Sequence, residues 1–210
     1  MITVYGEGRG FRVVWLLEEM RLPYRLRDVD MLAGVENDPE FLAINPAGFI
    51  PAIQDGDAIM VESIAIMEYL LGRYGPSPLA PDSLDATFPA YQQFLHLGEA
   101  GLAASVFFLT GAKHFAPETD RDNWTVRQAM HVFTSRLGLV IRRLTEAPYM
   151  AGETFTAADI SVGYALEMAR KNIDFALGEA EQAYLGRLRQ RDGYQRALAA
   201  CPATRGWWTS

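Results

Sequence analysis

The residues best placed to do chemistry lie near the N-terminus, in YGEGRGFR, residues 5 to 12, where three glycines and two arginines form a turn between an apolar run and the pattern VVWLLEE. Gly6-x-Gly8-x-Gly10 invites a phosphate-cradling reading, but the dinucleotide fingerprint needs glycine where Phe11 stands, and no acidic residue closes the unit at the expected distance. Further on, Glu62-Ser63 opens a helical pattern, where serine can serve simply as a cap. The histidines, His96, His114 and His131, are too scattered for a metal site, and none is expected. The one cysteine, Cys201, has no partner for an internal disulfide and reads as a small buried hydrophobe under reducing conditions.

These candidates need elements to hold them. ITVY reads as a strand, and Val13, Leu16, Leu17 and Met20 form a helical stripe that closes before Pro23. YRLRDVD reads as a second strand. Asp38-Pro39-Glu40 is a helix start, with an acceptor at the cap and proline in the first turn, and that helix must stop by Asn45-Pro46. PAIQ-DGD-AIMV is a hairpin, and Ser63, Ile64, Met67, Leu70 and Leu71 make a further helical stripe ending near Gly75-Pro76. The order β-α-β-α-β-β-α implies a mixed sheet with helices packed on it.

After Gly75, four prolines in 14 positions mark a linker, and everything beyond reads as helical. Val126, Met130, Phe133, Leu137, Ile141 and Leu144 predict a long buried stripe on a helix beginning near Asp122. In FTAADI, Thr156 and Asp159 form a capping box, with Phe155 and Ile160 as its staple. The expected division is 1–76, a linker over 77–87, and an all-α domain over 88–210.

Half the residues are apolar, 21% are charged, and the net charge is −7. With no basic excess to release counterions, nucleic acid and anionic membrane surfaces are poor partners. No window reaches about 18 uninterrupted apolar residues and no leader pattern stands at the start, so a cytoplasmic location is expected.

NPAGFIPAIQDGDAIMVESIAIMEYL (45 to 70), the linker, and YMAGETFTAADIS (149 to 161) together resemble the glutathione transferases nearly end to end. The resemblance implies an α+β fold: a thioredoxin-like N-terminal domain with a four-stranded mixed sheet, an all-α helical bundle after it, and commonly a homodimer. It implies a cis proline at Pro51, with the Ile50 main chain offered to glutathione as to an added strand. Ser63 and the helix it opens would take the γ-glutamyl carboxylate, and Glu62 the adjacent ammonium.

Glutathione would then be the co-substrate, with no metal. Its thiolate is the nucleophile, and a thiol with a pKa of ~8.5 is only ~3% ionised at pH 7; lowering that pKa by two units requires about 2.7 kcal/mol. Members of the family supply a tyrosine, serine or cysteine for this. The turn here carries Glu7, Gly8, Arg9 and Gly10 instead, with no hydroxyl or thiol. Two readings stay open: Tyr5 as the donor, or Arg9 with the Gly8 to Gly10 amides. Glu7 is expected to face solvent, since its charge would oppose a thiolate. The second, apolar subsite would come from the helical domain, with Phe107 and Phe108, and Trp207-Trp208 could cover it. The function implied is transfer of glutathione to a small hydrophobic electrophile, with peroxide reduction or isomerisation by the same thiolate also open. The alternative is a glutathione-binding carrier or interaction module.

Overall fold

The structure is a computed structural model. It describes residues 1–209, and the side chains of residues 1–206. The chain forms two compact units, one built from residues 1–77 together with 190–210, the other from 78–189.

The first unit contains β1 (Ile2–Tyr5), α1 (Phe11–Met20), β2 (Tyr24–Arg27), α2 (Pro39–Ile44), β3 (Ala52–Asp55), β4 (Ala58–Val61) and α3 (Ser63–Tyr74). The sheet order is β2-β1-β3-β4, with β1 and β2 parallel and the other two pairs antiparallel. This is the mixed four-stranded sheet expected of a thioredoxin-like domain. The helix starts follow their local signals: Asp38 accepts from the Phe41 amide with Pro39 at the first helical position. The β3–β4 hairpin turns on Gly56 at φ +62°. Because side chains alternate along a strand, Val4 and Ile53 share one face, while Tyr5 and Ala52 share the other with Val29 and Phe41.

α1 departs from a one-sided stripe. Every residue from Phe11 to Leu17 is buried, Arg12 and Trp15 included. The cause is α9 (Asp192–Ala200), which packs along α1. Tyr194 sets its ring edge-on to Trp15 at 4.9 Å and to Phe11 at 5.7 Å. Arg191 clamps Glu19 through two bonds of 2.8 and 2.9 Å, and Arg196 reaches Glu18 at 2.8 Å. A final helix, α10 (Pro202–Thr209), follows. The expected boundary at 88 therefore captures only part of the organisation: residues 190–210 belong to the first unit, because α1 presents an apolar and acidic outer surface that arginines and aromatics of α9 satisfy.

The second unit is helical: α4 (Phe88–His96), α5 (Ala104–His114), α6 (Trp124–Glu146), α7 (Ala157–Asn172) and α8 (Glu179–Arg189). α4 and α5 are joined without a break by a widened helical turn over Leu97–Ala103. Widening frees carbonyls from the regular ladder. Ser161 Oγ donates to Leu95 O at 2.7 Å, and Arg136 Nη1 to Ala100 O at 3.0 Å. The continuous helix Phe88–His114 is long and apolar enough to match a bilayer, but half of its most apolar window is buried inside the protein, as in a core helix.

α7 is the hub, with 14 of its 16 residues buried. The capping box is present at its start: the Asp159 carboxylate accepts the Thr156 amide at 2.8 Å. Asp159 also accepts the Met150 amide and the Tyr184 hydroxyl, each at 2.8 Å. The stripe on α6 is shorter than its periodicity predicts. Phe133, Leu137 and Val140 are buried, whereas Ile141 is 39% exposed and Val126 and Met130 only half-buried, because periodicity marks an apolar face without showing what covers it.

Candidate functional site

Strand register brings the candidate residues to one end of the sheet. Tyr5 pairs with Ala52, and Ala52 with Val61. The residues just beyond each pairing, Gly6, Pro51 and Glu62, are therefore neighbours. Packing tightens this: a Cβ on Gly6 would stand 2.3 Å from Ile50 Cγ2, and one on Gly10 would meet Pro51 Cβ at 3.5 Å. Gly6, at φ +84°, must be glycine on both counts. The Ile50–Pro51 bond is cis, as is Gly75–Pro76.

Asn45 shapes the approach to Pro51, a role the sequence reading missed. Its Nδ2 donates to Phe49 O at 2.7 Å, while its Oδ1 accepts the Ala47 amide at 3.1 Å and its carbonyl the Gly48 amide at 3.0 Å. The Asn-Pro pair at 45–46 was the available signal, since Asn before a turn commonly bonds its own backbone.

Glu62 is exposed and Ser63 is 4% exposed, and together they open α3. Glu62 holds φ +69° and ψ 103°, outside the ordinary regions for a residue with a side chain, and makes no side-chain cap to the helix. Such strain concentrates at ligand-binding positions, and an uncapped helix start leaves amide donors for an anion.

In the turn, Gly8 is exposed at φ +62° and Arg9 is half-buried. The Gly10 amide is already bonded to Glu7 O at 3.2 Å and the Phe11 amide to Gly8 O. Of the three amides considered from sequence, that of Gly10 is therefore already engaged.

Tyr5 lies in different surroundings. It is 8% exposed, its ring is 6.1 Å from Phe41, the Arg27 guanidinium stands 5.7 Å over it, and its hydroxyl donates to Gln54 Oε1 at 3.2 Å. Gln54 pairs with Thr3, so the hydroxyl is committed to a partner back along the sheet from the turn. Arg27 is itself fixed by a two-bond clamp on Asp38, at 2.8 and 2.9 Å, which holds that carboxyl below its ordinary range.

Glu7 contradicts its expectation. It is 6% exposed, and its carboxylate accepts the Thr204 amide at 2.5 Å. The solvent-facing reading failed because α10, 197 residues away in sequence, supplies the donor. Cys201 is fully buried as expected, and burial, then the charges of Glu7, Asp28 and Glu18, push its thiol up. A thiol held this way is little ionised and therefore a poor nucleophile.

In the second unit, Phe107 and Phe108 are 53% and 66% exposed on α5, with rings 5.9 Å apart. The side chains of Trp207 and Trp208 lie outside the described residues. Among the described residues no cluster of three or more His, Cys, Asp or Glu is disposed to hold a metal.

Known proteins share this plan. The family model for the glutathione S-transferase N-terminal domain matches residues 2–72. Glutathione S-transferase 3 of Schizosaccharomyces pombe is 29% identical over 79% of this chain and 72% of its own. The disulfide-bond oxidoreductase YfcG of Escherichia coli is 32% identical over 94% of both chains. Among solved structures, the theta class glutathione S-transferase of Xanthomonas axonopodis pv. citri, with glutathione bound, superposes with a TM-score of 0.79 at 28% identity, covering 93% of this chain and 96% of its own. With a sheet, site-bearing loops and relatives that agree along nearly the whole sequence, the chain belongs to the glutathione S-transferase family.

Proposed function

We propose that the protein binds glutathione where residues 6–10, 50–51 and 62–63 meet, and activates its thiol as a thiolate for attack on a small hydrophobic electrophile. The observation that carries this reading is the convergence itself: strand register and the Gly6–Ile50 contact gather three segments of complementary chemistry at one sheet end. Ile50 offers its main chain to the peptide, Ser63 and the start of α3 take the γ-glutamyl carboxylate, and Glu62 takes the ammonium. The electrophile's apolar body rests on Phe107 and Phe108, whose exposure favours a ligand role over a core role. The family's common homodimer is part of the same proposal.

Of the two activation readings, the surroundings favour the turn. Tyr5 already donates to Gln54 and is packed against Phe41, and the Gly8–Gly10 turn with Arg9 at its centre leads directly into α1. One charge-assisted hydrogen bond and a helix start together match the roughly 2.7 kcal/mol required. Conjugation of a chloronitroaromatic by wild type, Tyr5→Phe and Arg9→Ala tests this. Tyr5→Phe is expected to stay within about threefold of wild type and Arg9→Ala to lose about tenfold or more; a loss of ~10²-fold in Tyr5→Phe returns the role to the tyrosine. Binding of glutathione without turnover by wild type would favour a carrier.

A second reading follows from the 32% identity to a protein named as a disulfide-bond oxidoreductase. Two glutathiones would reduce one disulfide in two exchanges: the first thiolate displaces one sulfur as a thiol, and the second attacks the mixed disulfide to release the other thiol and oxidised glutathione. With Cys201 buried, both electrons come from glutathione. Glutathione-dependent reduction of a small organic disulfide, compared with conjugation under the same conditions, decides between the two.

A further inference from the structure

The buried carboxylate of Glu7 has no place in a glutathione site built from amides and cations, yet it sits in the middle of the turn. Burying a carboxylate is costly unless its bonds are satisfied. Its oxygen takes the amide of Thr204, the third residue of α10, at 2.5 Å. That amide is one of the orphan donors of a helix start, ordinarily met by a Ser, Thr, Asp or Asn at the cap. Here Cys201 occupies the cap, its carbonyl accepting the Arg205 amide at 2.9 Å, and a thiol is a poor acceptor. Glu7 supplies the missing cap from the far end of the sequence.

The same residue closes the turn, because the Glu7 carbonyl accepts the Gly10 amide. It stands between Gly6 at φ +84° and Gly8 at φ +62°, two residues with little conformational preference of their own. A side-chain anchor is the economical way to give such a segment one conformation. The anchor is itself held: from Arg191 on Glu19 and Arg196 on Glu18 to Thr204 on Glu7, the returning chain runs antiparallel to α1 and grips it at both ends.

We infer that Glu7 is a positioning residue for the thiol-activating turn, acting through its bond to the Thr204 amide, so that the docked C-terminal helix fixes the directions of the Gly8 and Arg9 amides. This rests on the proposed role of the turn in holding the thiolate. That bond turns the Glu7 side chain towards the start of α10.

The test uses the full chain and compares Glu7→Ala, Glu7→Gln, Thr204→Pro and the Glu7→Ala/Thr204→Pro double variant. Two quantities are read: kcat and KM for glutathione with a chloronitroaromatic, and the thiolate fraction of bound glutathione from its ultraviolet absorbance at pH 7. Removing either partner is expected to lower kcat by about tenfold or more and to reduce the thiolate fraction, with KM within about threefold, because orientation and not the berth is disturbed. Glu7→Gln keeps an acceptor oxygen and is expected to rescue both readings, and the double variant is expected to be no worse than either single. If Glu7→Gln behaves like Glu7→Ala, charge and not the bond is at work and the inference is overturned. It is also overturned if the single losses multiply in the double, or if every variant keeps the wild-type thiolate. Should Glu7→Ala fail to fold, Thr204→Pro carries the comparison alone. Absence of bound thiolate in the wild type would overturn the reading of the turn as well, which separates that failure from this one.

Discussion

Asp159→Asn probes the buried knot at the start of α7, where the cost of a charge and the worth of its bonds can be separated by pH. Burial pushes the Asp159 carboxyl from an ordinary 3.8 up to about 6, against the lowering effect of the bonds from Met150, Thr156 and Tyr184. A raised acid holds more protons in the native than in the unfolded state between those values, so its contribution to stability is greatest below pH 4 and declines as pH rises towards 6. For a shift of this size the loss between pH 5 and pH 7 is about 1.3 kcal/mol. Asparagine does not titrate, and its amino group must face one of the two backbone amides that now point at carboxylate oxygens, Met150 or Thr156. One orphaned buried amide costs about 1–3 kcal/mol. Urea unfolding followed by tryptophan fluorescence at pH 5, 6 and 7, at one protein concentration, is expected to show the variant less stable by ~2 kcal/mol at pH 7 and by ~3 kcal/mol at pH 5. A gap that stays constant, or widens towards pH 7, would refute the raised carboxyl and with it the account of the knot.

Gly6→Ala forces a Cβ to within 2.3 Å of Ile50 at a positive φ, and is expected to lower stability by about 2 kcal/mol and to weaken glutathione binding in calorimetry. Glu62→Gly relieves the strained φ of +69°; thermal unfolding is expected to show a gain of about 1 kcal/mol while glutathione affinity falls, and a loss of stability would contradict the strain argument. Gly98→Ala places a Cβ 2.3 Å from Ser161 Oγ and 2.6 Å from its carbonyl carbon, backbone that cannot step aside, and is expected to cost about 2–4 kcal/mol in denaturant titration.

Features written in neighbouring residues were legible. The Asp38-Pro39 start, the hairpin around Gly56 and the Thr156–Asp159 box each depend on a few adjacent side chains, and each formed as read. The meeting of Ile50-Pro51 with Glu62-Ser63 was legible for a similar reason, since the two pairs flank one hairpin whose register brings them together. What escaped depends on distant coverage. Nothing near Glu7 announces Thr204, nothing in VVWLLEE announces Tyr194 and Arg191, and the apolar step of α6 does not show that Ile141 is left exposed. The direction of the Tyr5 hydroxyl is set by the side chain of Gln54, two residues along a partner strand, which one strand read alone does not contain.

Because Tyr194 packs on Trp15 and Arg191 clamps Glu19, the first unit is completed by residues synthesised more than a hundred positions after its sheet. A ribosome that has released residues 1–77 has delivered the four strands but not the arginines that neutralise Glu18 and Glu19. The helical excursion over 78–189 can mature while its predecessor waits, which reverses the usual vectorial order, so termination before residue 190 leaves the first unit without part of its own packing.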